Sequence, residues 1–523
     1  MTIKSEKPET KPVTKEDEVV VGRVVAWGTY RLETAAHFGS GQTAETDMLL
    51  ARAGDGSLFI PGSSLAGVCR SYLASFLLPD VSGKLPMLTF SDDYLAKLTE
   101  AERKERERER EVASLLTLFG AIEDEGNQSA LLFQDAFALN PLVTVRDGVK
   151  IKAETGQAED QFKYDLEVVR PGTTFEIRLE LVIRRAYIGE QTRLKQLLNL
   201  LLAAFEQGEI RLGARTRRGL GLGRVEKWQV QDLDFRNPLH TLTWLRRDKP
   251  KNNAPSRAGE NLSELKGGLA YFELIATFEL SSSMLIRAYT EDLNRPDASQ
   301  LTEIDPAEPA YLRPLVPGSS TAGVMRHRAE RIANTLGVLN RDIAKEFINA
   351  LFGFVEESDE KRKLPPRQQA GRLRVEESWL KNSVSEVQSR IKIDRLSGGV
   401  LSGFLFEEAP VWGSQARPAS WQLRWRLSRP AKAEIGLLLQ ILKDMWVGDL
   451  PIGGGANIGR GRLRGVEAEM IWVEPVSGSH HHWKFNSPDP QHLEELLFVE
   501  SSSPVEWLEE CNLELYRKFG GGV

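Results

Sequence analysis

The chain has 523 residues, too many for one ordinary core at about 100–200 residues per domain, so at least two domains are expected. Hydrophobic residues make up 41% and charged residues 27%, with 44 Gly and 25 Pro, a balance that excludes fibrous, disordered and membrane-embedded chains. The formal charge of -6, from 68 Lys+Arg and 74 Asp+Glu, offers no general attraction to nucleic acid or to an anionic membrane, so any anion site must be local.

The opening MTIKSEKPETKPVTKEDE is polar and charged. It lacks the apolar h-region of a secretory signal, and no run of about 20 apolar residues follows, so neither export by the usual route nor a membrane span is expected. Residues 1–16 read as a disordered tail. Two cysteines, Cys69 and Cys511, cannot build a disulfide framework or a four-cysteine zinc site, and a reducing cytoplasm is the simplest compartment. GRVVAWGTYRLET (22–34) alternates apolar and polar residues in part and predicts the first strand of a sheet. A loop, HFGSGQTAETDMLLARAGDGSLF, then leads to PGSS (61–64). This tetrapeptide joins a φ-fixing Pro, a permissive Gly and two hydroxyl residues suited to N-capping, so a helix is expected to start there. Leu65, Val68, Cys69, Tyr72, Leu73, Phe76 and Leu77 fall on one face of that helix, which places Cys69 in the core.

AERKERERERE (101–111) carries five acidic and five basic side chains at helical spacing and reads as a solvated helix or insertion. RLGARTRRGLGLGR (211–224) holds five arginines and no acid. Its glycines let a backbone approach an anion, and its arginines can neutralise phosphates and stack on bases, so a ribose-phosphate chain suits it better than a small metabolite. The glycines of GLGLGR suggest a dinucleotide fingerprint, but the following helix and the acid about 20 residues on are missing, and that reading is rejected. RRDKPKNNAPSRAGENLSELKGG (246–268) has no apolar periodicity and reads as a linker.

After a second β-rich opening, FELIATFEL (272–280), the same design returns. PGSSLAGVCR (61–70) recurs as PGSSTAGVMR (317–326), identical at eight of ten positions. LTLFG (116–120) answers NALFG (349–353), LLFQDAFAL (131–139) weakly answers RLRVEESWL (372–380), and LGARTRRGLG (212–221) aligns without a gap on IGGGANIGRG (452–461). The copies lie too far apart for a solenoid of 20–50 residues per repeat. A duplicated domain is expected, over 17–245 and 269–475, with a C-terminal extension at 476–523. The N-terminus of each PGSS helix offers backbone N–H groups, the positive end of the helix dipole and the hydroxyls of Ser63 and Ser64 or Ser319 and Ser320, with Arg70 or Arg326 behind them. A phosphate fits there. Arg215, Arg217, Arg218, Gly219 and Gly221 in the first tract, and Gly454, Gly455, Arg460 and Arg462 in the second, complete the candidate RNA contacts. SWQLRWRLS (420–428) reads as a strand with partly buried aromatics before it reads as a stacking platform. The adjacent His480, His481 and His482 cannot all converge on one metal from a regular strand or helix.

These motifs resemble those of the RAMP superfamily of CRISPR-associated proteins, specifically the RNA-binding backbone subunits of type III effector complexes, present twice in one polypeptide. The tandem fusion is most similar to type III-D systems. The resemblance rests on IPGSSLAGVCR and VPGSSTAGVMR, on LFG followed by a strand, and on the terminal Gly/Arg loops, and it spans most of residues 17–475. It implies an α+β fold of two ferredoxin-like, RRM-type domains, each with an extended β-hairpin thumb, within about 140–172 and 384–417. Lys152 and Arg395 are then implied RNA contacts. The implied partners are a guide (crRNA), complementary target RNA and the other effector subunits, including the large polymerase-like one, with no membrane.

Cleaving members of the superfamily require an aspartate in the loop upstream of PGSS, and Asp47 stands at the matching place. His37, Gly39 and Gly41 form the preceding loop, where a family member would touch RNA. The second copy lacks the HFGSG stretch and offers Glu291, Asp292, Asp297 and Asp305, among which the eight-residue interval from Asp47 to Asp55, repeated from Asp297 to Asp305, selects Asp297. An ordinary aspartate, of pKa about 3.9, is too weak a base to take a ribose 2′-OH proton efficiently. The implied role is to orient the target 2′-OH for in-line attack, or to hold Mg²⁺ or Mn²⁺, once the thumb has splayed the nucleotide. A 2′,3′-cyclic phosphate and a 5′-hydroxyl would result. The expected activity is a metal-dependent endoribonuclease. A non-catalytic RNA-binding scaffold and an endonuclease that processes precursor guide RNA are the alternatives, the latter weakened because no histidine recurs between the copies.

Overall fold

In each half, a long apolar strand forms the middle of an antiparallel sheet. The computed structural model describes residues 18–41, 48–78, 100–120, 128–152, 158–247, 268–288, 296–337, 341–356, 367–414, 416–474, 479–487, 497–501 and 503–519. Val20–Leu32 lies between Gly223–Asp234 and Thr174–Arg184, and Leu131–Phe133 pairs with the far side of Thr174–Arg184. Tyr271–Leu280 lies in the same way between Leu463–Val473 and Ser420–Ser428, with Leu373–Val375 beyond. Numbered along the chain, both sheets run fourth, first, third, second.

The described helices are α1 (Gly62–Leu77), α2 (Glu100–Phe119), α3 (Gln191–Gln207), α4 (Pro238–Arg246), α5 (Gly318–Leu336), α6 (Arg341–Phe352), α7 (Lys432–Trp446) and α8 (Glu506–Lys518). α1 touches α3, and α5 touches α7. Each pair follows the first and third strands of its half and covers the sheet with an apolar stripe. Leu65, Cys69, Leu73 and Leu77 of α1 are buried against Tyr30, Phe175, Phe205 and Trp228. In the second half Phe272, Phe278, Trp421, Trp425 and Trp446 form the corresponding core. Each such side chain contributes about 1.5–3 kcal/mol on burial.

The PGSS helices begin as expected at Gly62 and Gly318, but no serine caps them. Pro61 and Pro317 are the N-caps and make no side-chain cap bond. The serines therefore fall inside the first turn, and in α1 the cap comes from afar, Gly62 N–H donating to Asp135 Oδ1 at 2.7 Å. The described part of the C-terminal extension joins the second half. His480–Asn486 and Leu497–Ser501 lengthen its sheet, and Leu508, Cys511 and Leu515 of α8 enter its core.

Two β-hairpins stand apart from the main sheets: Val143–Ile151 with Ala158–Val169, and Gln388–Ile393 with Val400–Ala409. The outer part of the second has no core, and Ile391, Ile393, Leu396, Val400 and Leu405 are all exposed.

The two halves meet through ion pairs that sequence reading did not anticipate. Arg146, on the first hairpin, donates to Glu377 at 2.7 Å and to Glu303 at 2.9 Å, and Arg170 donates to Glu303 at 2.7 Å. Arg211 forms a fork with Glu376, and Arg426 reaches back to Glu209 at 2.7 Å. Glu303 and Glu377 are only 1% and 4% exposed. Burial opposes the charge on Arg146, but the Glu377 and Glu303 carboxylates outweigh it and hold its pKa above the ordinary arginine value. The backbone takes part as well. A Cβ on Gly219 would stand 2.5 Å from Glu377 N, and one on Gly318 would stand 2.5 Å from the carbonyl oxygen of Arg218.

Candidate nucleic-acid interface

The same hydrogen bonds build the surroundings of each hairpin. After the first strand, Ala36 bridges Val169 and Met284 bridges Val411. The chain then loops away and returns, Ala51 N–H donating to Phe38 O and Leu301 N–H to Ile286 O. Just before that return it pairs in parallel with the second strand of the hairpin, through Met48 with Leu166 in the first copy and Ala298 with Glu408 in the second. Met48 and Ala298 are therefore equivalent, and in the sequence an aspartate precedes each, Asp47 and Asp297. Asp47 itself lies outside the described residues, as do Glu291 and Asp292. Asp297 is exposed and accepts a hydrogen bond on Oδ2 from Glu407 N–H at 2.8 Å, which aims its carboxylate along the base of the second hairpin. Asp305, the other described candidate of that loop, is spent on Arg313 at 2.8 Å.

The remaining site residues divide by what already holds them. His37 is 4% exposed, with Nδ1 2.7 Å from Glu167 O, while Gly39 and Gly41 pair with Leu50 and Leu49. The Glu167 carboxylate then accepts from Leu50 N–H at 2.9 Å and from Arg52 at 2.6 Å, so the entry to the loop is tied to the hairpin. Ser63, Ser64 and Arg70 are exposed on α1, Ser319 is exposed on α5 and Ser320 is half-buried. Arg326 is turned inward, donating to Gly353 O at 2.7 Å and Asn349 Oδ1 at 3.0 Å. Lys152 and Arg395 are exposed near the outer ends of their hairpins.

The glycine tracts fold back onto the segment that follows each first strand. Ala214 and Gly454 donate to the carbonyls of His37 and Leu285, and Gly221 and Gly461 to those of Ala35 and Ser283. Gly219 and Gly221 are buried by this folding and by the second half, whereas Gly455 and Arg462 lie at the surface or near it. Arg460 is 3% exposed and donates to Glu408 at 2.8 Å and Gln388 at 3.0 Å. Arg217 is exposed.

One group of predicted contacts does converge. Arg215 lies over the Tyr164 ring at 4.3 Å and reaches Met48 Sδ at 3.6 Å, so it stands where the first loop, the first hairpin and the glycine tract meet. Arg218 donates to Phe352 O at 3.4 Å. Burial, then Arg326, and also Arg215 depress its pKa below the ordinary arginine value, against the opposing influence of Tyr164. Three guanidinium groups, from the first glycine tract and the second PGSS helix, thus share one field, in which Arg326 is paired with Glu330 at 3.0 Å. Tyr164, which places Arg215, carried no sequence signal of its own. Among the described residues no cluster of three or more His, Cys, Asp or Glu side chains could hold a metal ion, and no helix is long and apolar enough to cross a membrane.

No curated protein matches the chain. A family model does match, over residues 29–226 and again over 277–464, which together make up more than half of the sequence and run in each half from within the first strand of the sheet to the start of its fourth, taking in the hairpin. The chain belongs to the RAMP superfamily and carries its domain twice.

Proposed function

We propose that this protein is a guide-RNA-binding backbone subunit of a type III CRISPR effector complex, of the tandem-fused type III-D kind, which cleaves complementary target RNA once per repeat. Superfamily membership supports the CRISPR-associated, RNA-binding part of this reading. The strand order supports a ferredoxin-like, RRM-type domain in each repeat, with the two hairpins acting as thumbs. The observation that supports the cleavage reading is the shared register of Met48 and Ala298: Asp297, which precedes Ala298, is held at the base of the second hairpin, and Asp47 precedes Met48 in the sequence.

In this scheme each hairpin interrupts the guide–target duplex and splays one target nucleotide, for which the exposed apolar side chains of the second hairpin are suited. Asp297, held by Glu407 N–H, positions the 2′-OH of that nucleotide toward the adjacent phosphorus, and Asp47 does the same in repeat 1. Arg215 and Arg218 grip the RNA backbone between the repeats. One aspartate per repeat fits a divalent ion held jointly with RNA phosphates rather than by an all-protein cage, and such an ion, Mg²⁺ or Mn²⁺, would stabilise charge developing at the phosphate.

The test uses the assembled guide complex, labelled target RNA, and wild-type, Asp47→Ala, Asp297→Ala and doubly substituted proteins. Each single change is expected to remove one distinct product, and the double change both, with every product ending in a 2′,3′-cyclic phosphate. Unchanged cutting by the double variant would leave the chain a scaffold, and a 5′-phosphate product would overturn in-line attack by the 2′-OH.

A further inference from the structure

We infer that the charges at the junction are a pairing code, which admits the arginine-bearing face of repeat 1 onto the acidic face of repeat 2 and leaves the two outer faces to other polypeptides that lack it. The backbone register shows what stands at the same places on the outer faces. On the acidic side, the carbonyl of Phe133 packs on Gly62 as that of Val375 packs on Gly318, so Gln134 and Asp135 answer Glu376 and Glu377. Arg52 bridges Leu58 as Thr302 pairs with Pro314, so Ala53 answers Glu303. The one acid kept, Asp135, is turned onto its own helix at Gly62 N–H. On the basic side Arg146 faces Leu166 where Gln388 faces Glu408, and Arg170 follows Val169 where Trp412 follows Val411. Pro451 and Ile458 stand in the second glycine tract where Arg211 and Arg218 stand in the first. All four arginines are replaced by uncharged residues.

Offered the outer face of another repeat 1, the arginine face would bury Arg146 and Arg211 without carboxylates. Offered the outer face of another repeat 2, the acidic face would bury Glu303 and Glu377 without cations. A buried, unpaired charge excludes both pairings. The outer faces do not suit each other either. Repeat 1 shows Leu132, Phe137 and Leu139, each at least 40% exposed, while repeat 2 offers a glycine loop with a single large exposed apolar side chain, Ile458. The junction pair Glu209–Arg426 would not be remade there, since the register of the turns after α3 and α7 and of the third strands sets Asp449 against Glu180, whose carboxylate is already held by Arg23 and Arg178 of its own repeat. The occupant that fits the outer face of repeat 1 is thus a different polypeptide, presenting apolar side chains and no arginine at these places. The inference concerns protein pairing and holds whether or not the chain cuts RNA.

Sedimentation of the full chain tests it, with one variant carrying Trp412→Arg and Pro451→Arg and another carrying Ala53→Glu and Gln134→Glu, both checked for wild-type circular dichroism and melting. Wild type and each variant alone are expected to sediment as monomers at about 0.15 M salt, and an equal mixture of the two as a dimer that separates near 1 M salt. A chain carrying all four changes should grow into head-to-tail oligomers. End-to-end assembly of the wild type, or two folded variants that ignore each other, would overturn the code.

Discussion

At one place in the fold the two repeats answer the same backbone with opposite chemistry. In repeat 1, Leu166 and Leu220 are buried with Ala35, Val168 and Met48. The equivalent pair in repeat 2 is Glu408 and Arg460, an ion pair of 2.8 Å whose side chains are 4% and 3% exposed. The turns around both pairs make the same bonds, Gly221 to Ala35 O and Gly461 to Ser283 O, so the glycine turn sets the geometry and the side chains only decide how the hairpin base is held. The first hairpin is braced from outside, by Glu303 and Glu377 of repeat 2 on Arg146. The second is braced from within, Glu408 gathering Arg460, Arg287 and Arg390 while Gln388, in the place of Arg146, bonds to Arg460.

That contrast is broken most directly by Glu408→Leu, which strands the buried Arg460 at the base of the second hairpin. It is expected to cost about 3–5 kcal/mol in urea unfolding. Glu408→Leu with Arg460→Leu recreates the apolar pair of repeat 1 and should recover much of the loss; a double variant as unstable as the single one would show that the ion pair does not brace the hairpin. Arg146→Met attacks the outside brace and should cost about 3 kcal/mol, with faster amide exchange along Val143–Ile151 and little change in Gln388–Ile393.

Gly219 and Gly459 sharpen the comparison further, having left-handed φ of +93° and +87° in matching turns. Gly459→Ala pays only for the backbone, about 1–2 kcal/mol, since nothing lies within 4 Å of its Cβ position. Gly219→Ala must also push Glu377 aside, and the excess loss in the same unfolding assay reports the junction alone. The smallest contrast lies between the matched helix arginines. Arg326→Ala removes bonds to Gly353 O and Asn349 and should cost about 1 kcal/mol, whereas Arg70→Ala, on an exposed side chain, should stay within about 0.5 kcal/mol.

The duplication was legible because PGSS and the glycine tracts meet the same backbone demand twice. Gly62 and Gly318 both lie under a carbonyl, and no other residue fits there. Helix periodicity placed Leu65, Cys69, Leu73 and Leu77 inward for the same local reason. The serine caps were misplaced because Asp135, 73 positions away, supplies the bond at Gly62. The arginines of the first glycine tract suit phosphate by charge, yet Arg211 faces Glu376. An arginine's charge does not say whether its anion is a nucleotide or a carboxylate 165 residues along the chain.

By itself the sequence determined that the domain is doubled, where each apolar strand and helix runs, and that glycine turns close each copy, since these depend on residue period and on steric demands met within a few residues. Only the tertiary structure decided which charges are spent between the repeats, that Arg326 turns inward onto Gly353 and Asn349, and that Asp297 is held by Glu407 N–H at the base of the second hairpin. Ion pairing and strand register depend on distances in space between segments that the chain order leaves far apart.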